Sequence, residues 1–87
     1  MTEQQTAEIT EAVRRVLRDH GRLARDAAEL PVDADLHHMG MTSHASVNVM
    51  LALEGEFDVE FPDHMLTRSV FSSIRSMAAA IAQLIDD

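Results

Sequence analysis

The sequence contains no cysteine, lysine, tryptophan or tyrosine, and each absence removes a class of function. Without cysteine there is no disulfide scaffold, no dithiol redox chemistry and no thiolate metal site, and a cytoplasmic address is the expectation. Three phenylalanines and 7 arginines set against 15 acids, a net charge of −8, supply neither the stacking platforms nor the cationic field of a nucleic-acid binder. DNA and RNA are therefore not expected as partners. No apolar run approaches the roughly 18 residues of a membrane span, so no membrane partner is expected. The opening MTEQQTAEIT has neither the basic nor the apolar region of an export signal. A chain of 87 residues buries only about 60% of its unfolded surface, which predicts one small domain over residues 1–87, held by amphipathic elements, with no room for a deep catalytic cleft.

The charge that is present is uneven. Up to residue 28, Arg14, Arg15, Arg18, Arg22 and Arg25 balance Glu3, Glu8, Glu11, Asp19 and Asp26. From Glu29 onward the acids face only Arg68 and Arg75, so the whole excess lies in the last two thirds, where a basic protein partner would be steered.

Hydrophobic spacing predicts an all-α domain. Ile9, Val13, Val16 and Leu17 mark a first helix over 2–20, with Thr2 and Gln5 at capping-box spacing, Gly21 as a left-handed stop, and arginines paired with neighbouring acids on a solvated face. Residues 22–40, with Pro31 and Gly40, form a long connection pinned to the core by Leu23, Leu30, Val32, Leu36 and Met39. A second helix runs from Ser43 to Phe57 with Thr42 or Ser43 as N-cap and Val47, Met50, Leu51, Leu53 and Phe57 inward, its end fraying at Gly55. Residues 58–62 form an extended connector that plugs Val59 and Phe61 into the core. Pro62 starts a short third helix near 63–67. Ser72 caps a fourth helix with Ile74, Met77, Ala78, Ile81 and Ile85 inward. The outcome is a small four-helix bundle, three main helices and one short, with a long ordered loop between the first two.

Few side chains can carry chemistry. His37, His38 and His44 cluster in sequence, but adjacent histidines in a loop are a poor ligand set, and solvated surface histidines are the expectation. Ser43 and His44 leave a helix start in different directions, which argues against a serine hydrolase. Ser43 remains. Around it, Asp35-Leu36, Gly40-Met41-Thr42-Ser43-His44 and, further on, Leu51-Ala52-Leu53-Glu54 and Phe57 to Asp63 resemble the acyl and peptidyl carrier protein family over nearly the whole chain.

That resemblance implies a carrier, not an enzyme. A phosphopantetheinyl transferase would attach the 4′-phosphopantetheine of coenzyme A to Ser43, and the arm would hold cargo as a thioester, so the reactive sulfur comes with the cofactor. An adenylating ligase would load the cargo and a downstream transferase would receive it. Thr42, His44, Val47, Glu54, Glu56, Asp58 and Glu60 would form the partner surface of a monomer. Thr42 and His44 stand where the family commonly has Asp and Leu, and Asn48 and Gly55 replace common acids. These departures favour the divergent aminoacyl carrier proteins, loaded by ligases that resemble seryl-tRNA synthetases, over a housekeeping carrier of fatty-acid or polyketide synthesis. An unmodified acidic helical adaptor is the alternative of a different class.

Overall fold

A computed structural model describes residues 3–23 and 26–86. Three α-helices form the domain: α1 (Glu3–His20), α2 (Ser43–Phe57) and α3 (Ile74–Asp86), with single 3-10 turns at Ala27–Glu29 and Asp63–Met65. The expected short third helix is this second 3-10 turn. The Thr2 end of the expected capping box lies outside the described residues.

α1 buries Ile9, Ala12, Val13, Val16 and Leu17, and both other helices pack against it. Its end departs from expectation. Gly21 donates its N–H to Leu17 O at 2.8 Å, and the left-handed residue is Arg22, with φ 53°. Glycine is needed at 21 for closeness, since a Cβ there would sit 2.8 Å from Leu17 O. Arg14 also departs from the solvated face: its guanidinium donates to the carbonyls of Ala27 and Leu30, both at 2.7 Å. Arg15 pairs with Glu56 on α2 rather than along its own helix.

The long connection is ordered, as its apolar content predicts. Leu30 and Leu36 are buried, while Leu23, Val32 and Met39 pack against the core half-buried. Leu36 N–H donates to Ser72 O at 2.8 Å and Arg75 N–H donates to Val32 O at 2.9 Å, stitching the connection to the start of α3. Arg75 Nε and Nη2 reach Asp33 Oδ1 and Oδ2 at 2.6 and 3.2 Å. That hydrogen bond chiefly holds the Asp33 carboxyl below its ordinary value, against an opposing desolvation and with added attraction from the charge of Arg75.

α2 buries Ala45, Val49 and Leu53; of the face read from spacing, Leu53 is buried and Met50 and Phe57 pack half-buried on the core, but Val47 and Leu51 are 50% and 55% exposed. The helix does not fray at Gly55 but continues to Phe57, and Asp58 closes it at φ 52°, its N–H donating to Glu54 O. Phe61 then enters the core against Phe71, ring centroids 5.5 Å apart, whereas Val59 is only half-buried. α3 is capped by Ser73, not Ser72. Ser73 Oγ accepts from Ser76 N–H at 3.0 Å, and Ser76 Oγ accepts from Ser73 N–H at 3.1 Å, a reciprocal capping box. Ile74, Met77, Ala78, Ala80 and Ile81 are buried, but Ile85 is 38% exposed.

Candidate functional site

The site is built on the approach to α2. Asp35 Oδ1 accepts from the backbone N–H groups of His37 and His38 at 3.1 and 3.3 Å, folding a tight turn. Gly40 then takes φ +104°, a conformation that side chains resist, and Met41 is buried beyond it. The chain thus reaches Thr42 anchored on one side by Leu36 and Met41 and on the other by α2 itself.

Thr42 is the N-cap: its hydroxyl accepts from Ala45 N–H at 3.1 Å and its carbonyl accepts from Ser46 N–H at 2.9 Å. Ser43 is therefore the first helical residue. Its side chain is exposed, and its Oγ has no hydrogen-bond partner among the described residues. The N–H groups of Ser43 and His44 are the orphan donors of the first turn and point along the positive end of the helix dipole. A negative group on Ser43 Oγ gains typically 0.3–1 kcal/mol from that position.

Beside Ser43 runs an open groove of about 300 Å³. One wall is the α2 face of Ser43, Ser46, Val47 and Met50, and the other is the segment from Leu66 to Phe71. His37 closes one end, its Nδ1 3.3 Å from Met41 O and its Nε2 3.4 Å from Arg68 O. A neutral imidazole donates to one of these carbonyls at a time, so the ring is a link between the two walls.

The other residues implicated by sequence divide. His44 is exposed on the outer face of α2, and Val47, also exposed, stands at the edge between that face and the groove. Glu54 turns inward, where its Oε2 accepts from Phe61 N–H at 2.8 Å, and Glu56 is held by Arg15. Asp58 and Glu60 are exposed and form no ion pair among the described residues. The sequence presented His37 only as a weak metal ligand, Leu51 only as a core residue and Arg68 only in the charge balance, none of them as part of this site. Leu51 carried a signal, since with Val47 and His44 it continues one face of α2. His37 and Arg68 carried none, because only the fold brings residues 31 apart in sequence together across the groove. No three His, Asp or Glu side chains come close enough to hold a metal ion among the described residues.

A free hydroxyl at a helix start, two unpartnered amides and an adjoining open groove form a site suited to bearing an attached group. The residues suit a phosphodiester-linked arm: an exposed oxygen to bear it, donors for its charge and an apolar channel for its chain. Residues 7–81 match the family described as phosphopantetheine attachment site. Over 74 residues the chain is 36% identical to an aminoacyl carrier protein of Agrobacterium fabrum, spanning 85% of this chain and 89% of that one. It superposes with a TM-score of 0.83, at 35% identity, on a carrier protein from Agrobacterium tumefaciens complexed with an engineered Bradyrhizobium japonicum glycine:[carrier protein] ligase and ATP, covering 86% of this chain and 97% of that one. A glycylated carrier protein complexed with the B. japonicum ligase matches with a TM-score of 0.63 at 26% identity, covering 90% and 99%. The chain belongs to the phosphopantetheine attachment family, in the line of the aminoacyl carrier proteins. It is a carrier that depends on phosphopantetheine, not a catalyst.

Proposed function

We propose that this protein carries an amino acid on a phosphopantetheine arm joined to Ser43 Oγ, and that an adenylating ligase loads it. The observation that carries the reading is the exposed, unbonded Ser43 hydroxyl at the start of α2, beside a groove that can receive the arm. In the attachment, Ser43 Oγ forms a new P–O bond as the phosphoanhydride bond of coenzyme A breaks and its adenosine half leaves, with the hydroxyl proton passing to the transferase. When bound, the arm supplies a thiol that holds the cargo as a thioester. The chain's own part is to fix the base of the arm through Thr42 and α2, and to present a face to the ligase.

That face is the outer side of α2, with Thr42, His44 and Val47, joined by Leu51. Asp58 and Glu60 follow at its exit, while Glu54 braces the α2 exit and Glu56, itself exposed, ties α2 to Arg15 of α1. Glycine is the first cargo to test, because the related carrier proteins were captured with a glycine ligase. Incubation with coenzyme A and a promiscuous transferase should add the mass of one phosphopantetheinyl group to the wild type and nothing to Ser43→Ala. Addition of ATP, glycine and the ligase should then add a glycyl group removed by hydroxylamine. A mass gain that survives Ser43→Ala defeats the assignment of the serine; loading by fatty-acid synthase enzymes alone defeats that of the cargo.

A further inference from the structure

Beyond residue 28 the chain holds two arginines, and their situations differ. Arg75 is held bidentately by Asp33. Arg68 is exposed and its side chain has no ion pair or hydrogen bond among the described residues, although most acids of the protein share this part of the sequence. Arg68 instead lines the groove that begins at Ser43, a groove with no acidic residue in its wall. Its backbone is positioned there, since its carbonyl faces His37 Nε2 at 3.4 Å.

We propose that Arg68 is the phosphate-binding residue of this groove, its guanidinium taking the phosphodiester on Ser43 Oγ together with the free amides of Ser43 and His44. The inference rests on Ser43 as the attachment point. Three features favour it. The planar guanidinium fork matches two phosphate oxygens at once. The apolar side chains of Val47, Met50, Leu66 and Phe71 in the wall offer the phosphate no competing donor. The absence of carboxylates from the wall leaves the phosphate as the only strong anion within the groove. Arg68 thus fixes the root of the arm and sets the direction in which it lies.

The test uses the full chain, unloaded and loaded with coenzyme A and a transferase, with loading at Ser43 read by peptide mass. Modification of Arg68 by phenylglyoxal is expected to slow roughly two- to five-fold on loading, the range of an exposed ion pair, while Arg18, outside the groove, is unchanged. The ³¹P resonance of loaded R68Q is expected to move away from that of the wild type, and that of R18Q to coincide with it. R68Q removes the guanidinium only, since His37 meets the backbone carbonyl; if R68Q is not loaded, the wild-type modification rates decide. Loading at Ser43 with an unchanged Arg68 rate overturns the role of Arg68 and leaves the attachment standing. A slower rate with an unmoved ³¹P signal means that the arm covers Arg68 without binding it, and overturns the inference equally. No loading at Ser43 overturns both readings.

Discussion

Two glycines in this chain do opposite things, although both sit at the end of a helix. A Cβ at Gly21 meets the backbone carbonyl of Leu17 at 2.8 Å, an atom that cannot swing away, so Gly21→Ala must displace the end of α1. A loss of about 1–3 kcal/mol is expected, as for overpacking elsewhere. At Gly55 nothing lies within 4 Å of the added carbon, and the site is helical and exposed, so Gly55→Ala should stabilise by up to about 1 kcal/mol. Urea unfolding of the two variants reads both signs; equal effects would contradict the packing argument. At Thr42 the side-chain oxygen carries the cap of α2, and Thr42→Ala is expected to cost about 1 kcal/mol, with Thr42→Asp restoring it because a carboxylate also caps and favours the helix N-terminus. The helix start at Ser43 was legible, since glycine and adjacent hydroxyl residues converge on it, and the structure leaves the Ser43 hydroxyl exposed and unbonded among the described residues. The exact caps were not legible. Thr42 and Ser43, like Ser72 and Ser73, are adjacent hydroxyl residues equally able to cap, and only the tertiary position of the helix selects one. Gly21 was read correctly as a stop for the wrong reason: crowding against Leu17, not a left-handed φ, demands it.

At the scale of elements, the connection between α1 and α2 decides whether the site is rigid. It has little regular structure and is held by cross-links from both neighbouring helices. From α1, a single arginine nitrogen serves two carbonyls of the first 3-10 turn. Hydrogen bonds to a charged donor are worth about 1.5–3 kcal/mol, so Arg14→Met should lose stability of that order and speed amide exchange around residues 27–30 before it affects α3. From α3, Arg75 holds Asp33. Because the folded-state pKa of Asp33 is lowered from 3.8, the stability it contributes is present above that value and lost as pH falls through the lower folded value. Arg75→Gln should move the Asp33 carboxyl titration, followed by NMR, upward toward 3.8 and flatten the acid limb of stability. Apolar spacing foretold that this connection is pinned, and it foretold the buried stripes of α1 and most of α3. It misjudged α2, where Ala45, Val47, Val49, Met50, Leu51 and Leu53 surround nearly the whole axis and leave periodicity no face to prefer. That ambiguity has a function: one side of α2 packs on α1, a second lines the groove and a third stays exposed.

For the molecule as a whole, extents of 33 × 27 × 19 Å go with a core in which no polar or charged residue is buried among the described residues, so the excess of negative charge acts outward. The acids are not equivalent. Glu54 braces the α2 exit, Glu56 holds Arg15 and Asp33 holds Arg75, whereas Asp58 and Glu60 face solvent at the end of α2. A carrier must dock, exchange cargo and leave, which calls for small contacts steered by charge rather than a large apolar interface. Association of the loaded protein with the proposed ligase should therefore be fast at low salt and slow by about ten-fold or more as ionic strength nears 1 M, where the screening length falls to about 3 Å. Neutralising the uncommitted acids, Asp58→Asn with Glu60→Gln, should reduce both the association rate and its salt dependence while leaving the unfolding midpoint unchanged. Glu54→Gln should do the reverse, lowering stability through the weakened bond to Phe61 N–H with little change in steering. Stopped-flow association across a salt series, set beside urea unfolding of the same variants, separates the two roles. If Glu54→Gln slows association as much as the double variant at equal stability, the division of the acids into bonded braces and unpaired steering charges is wrong.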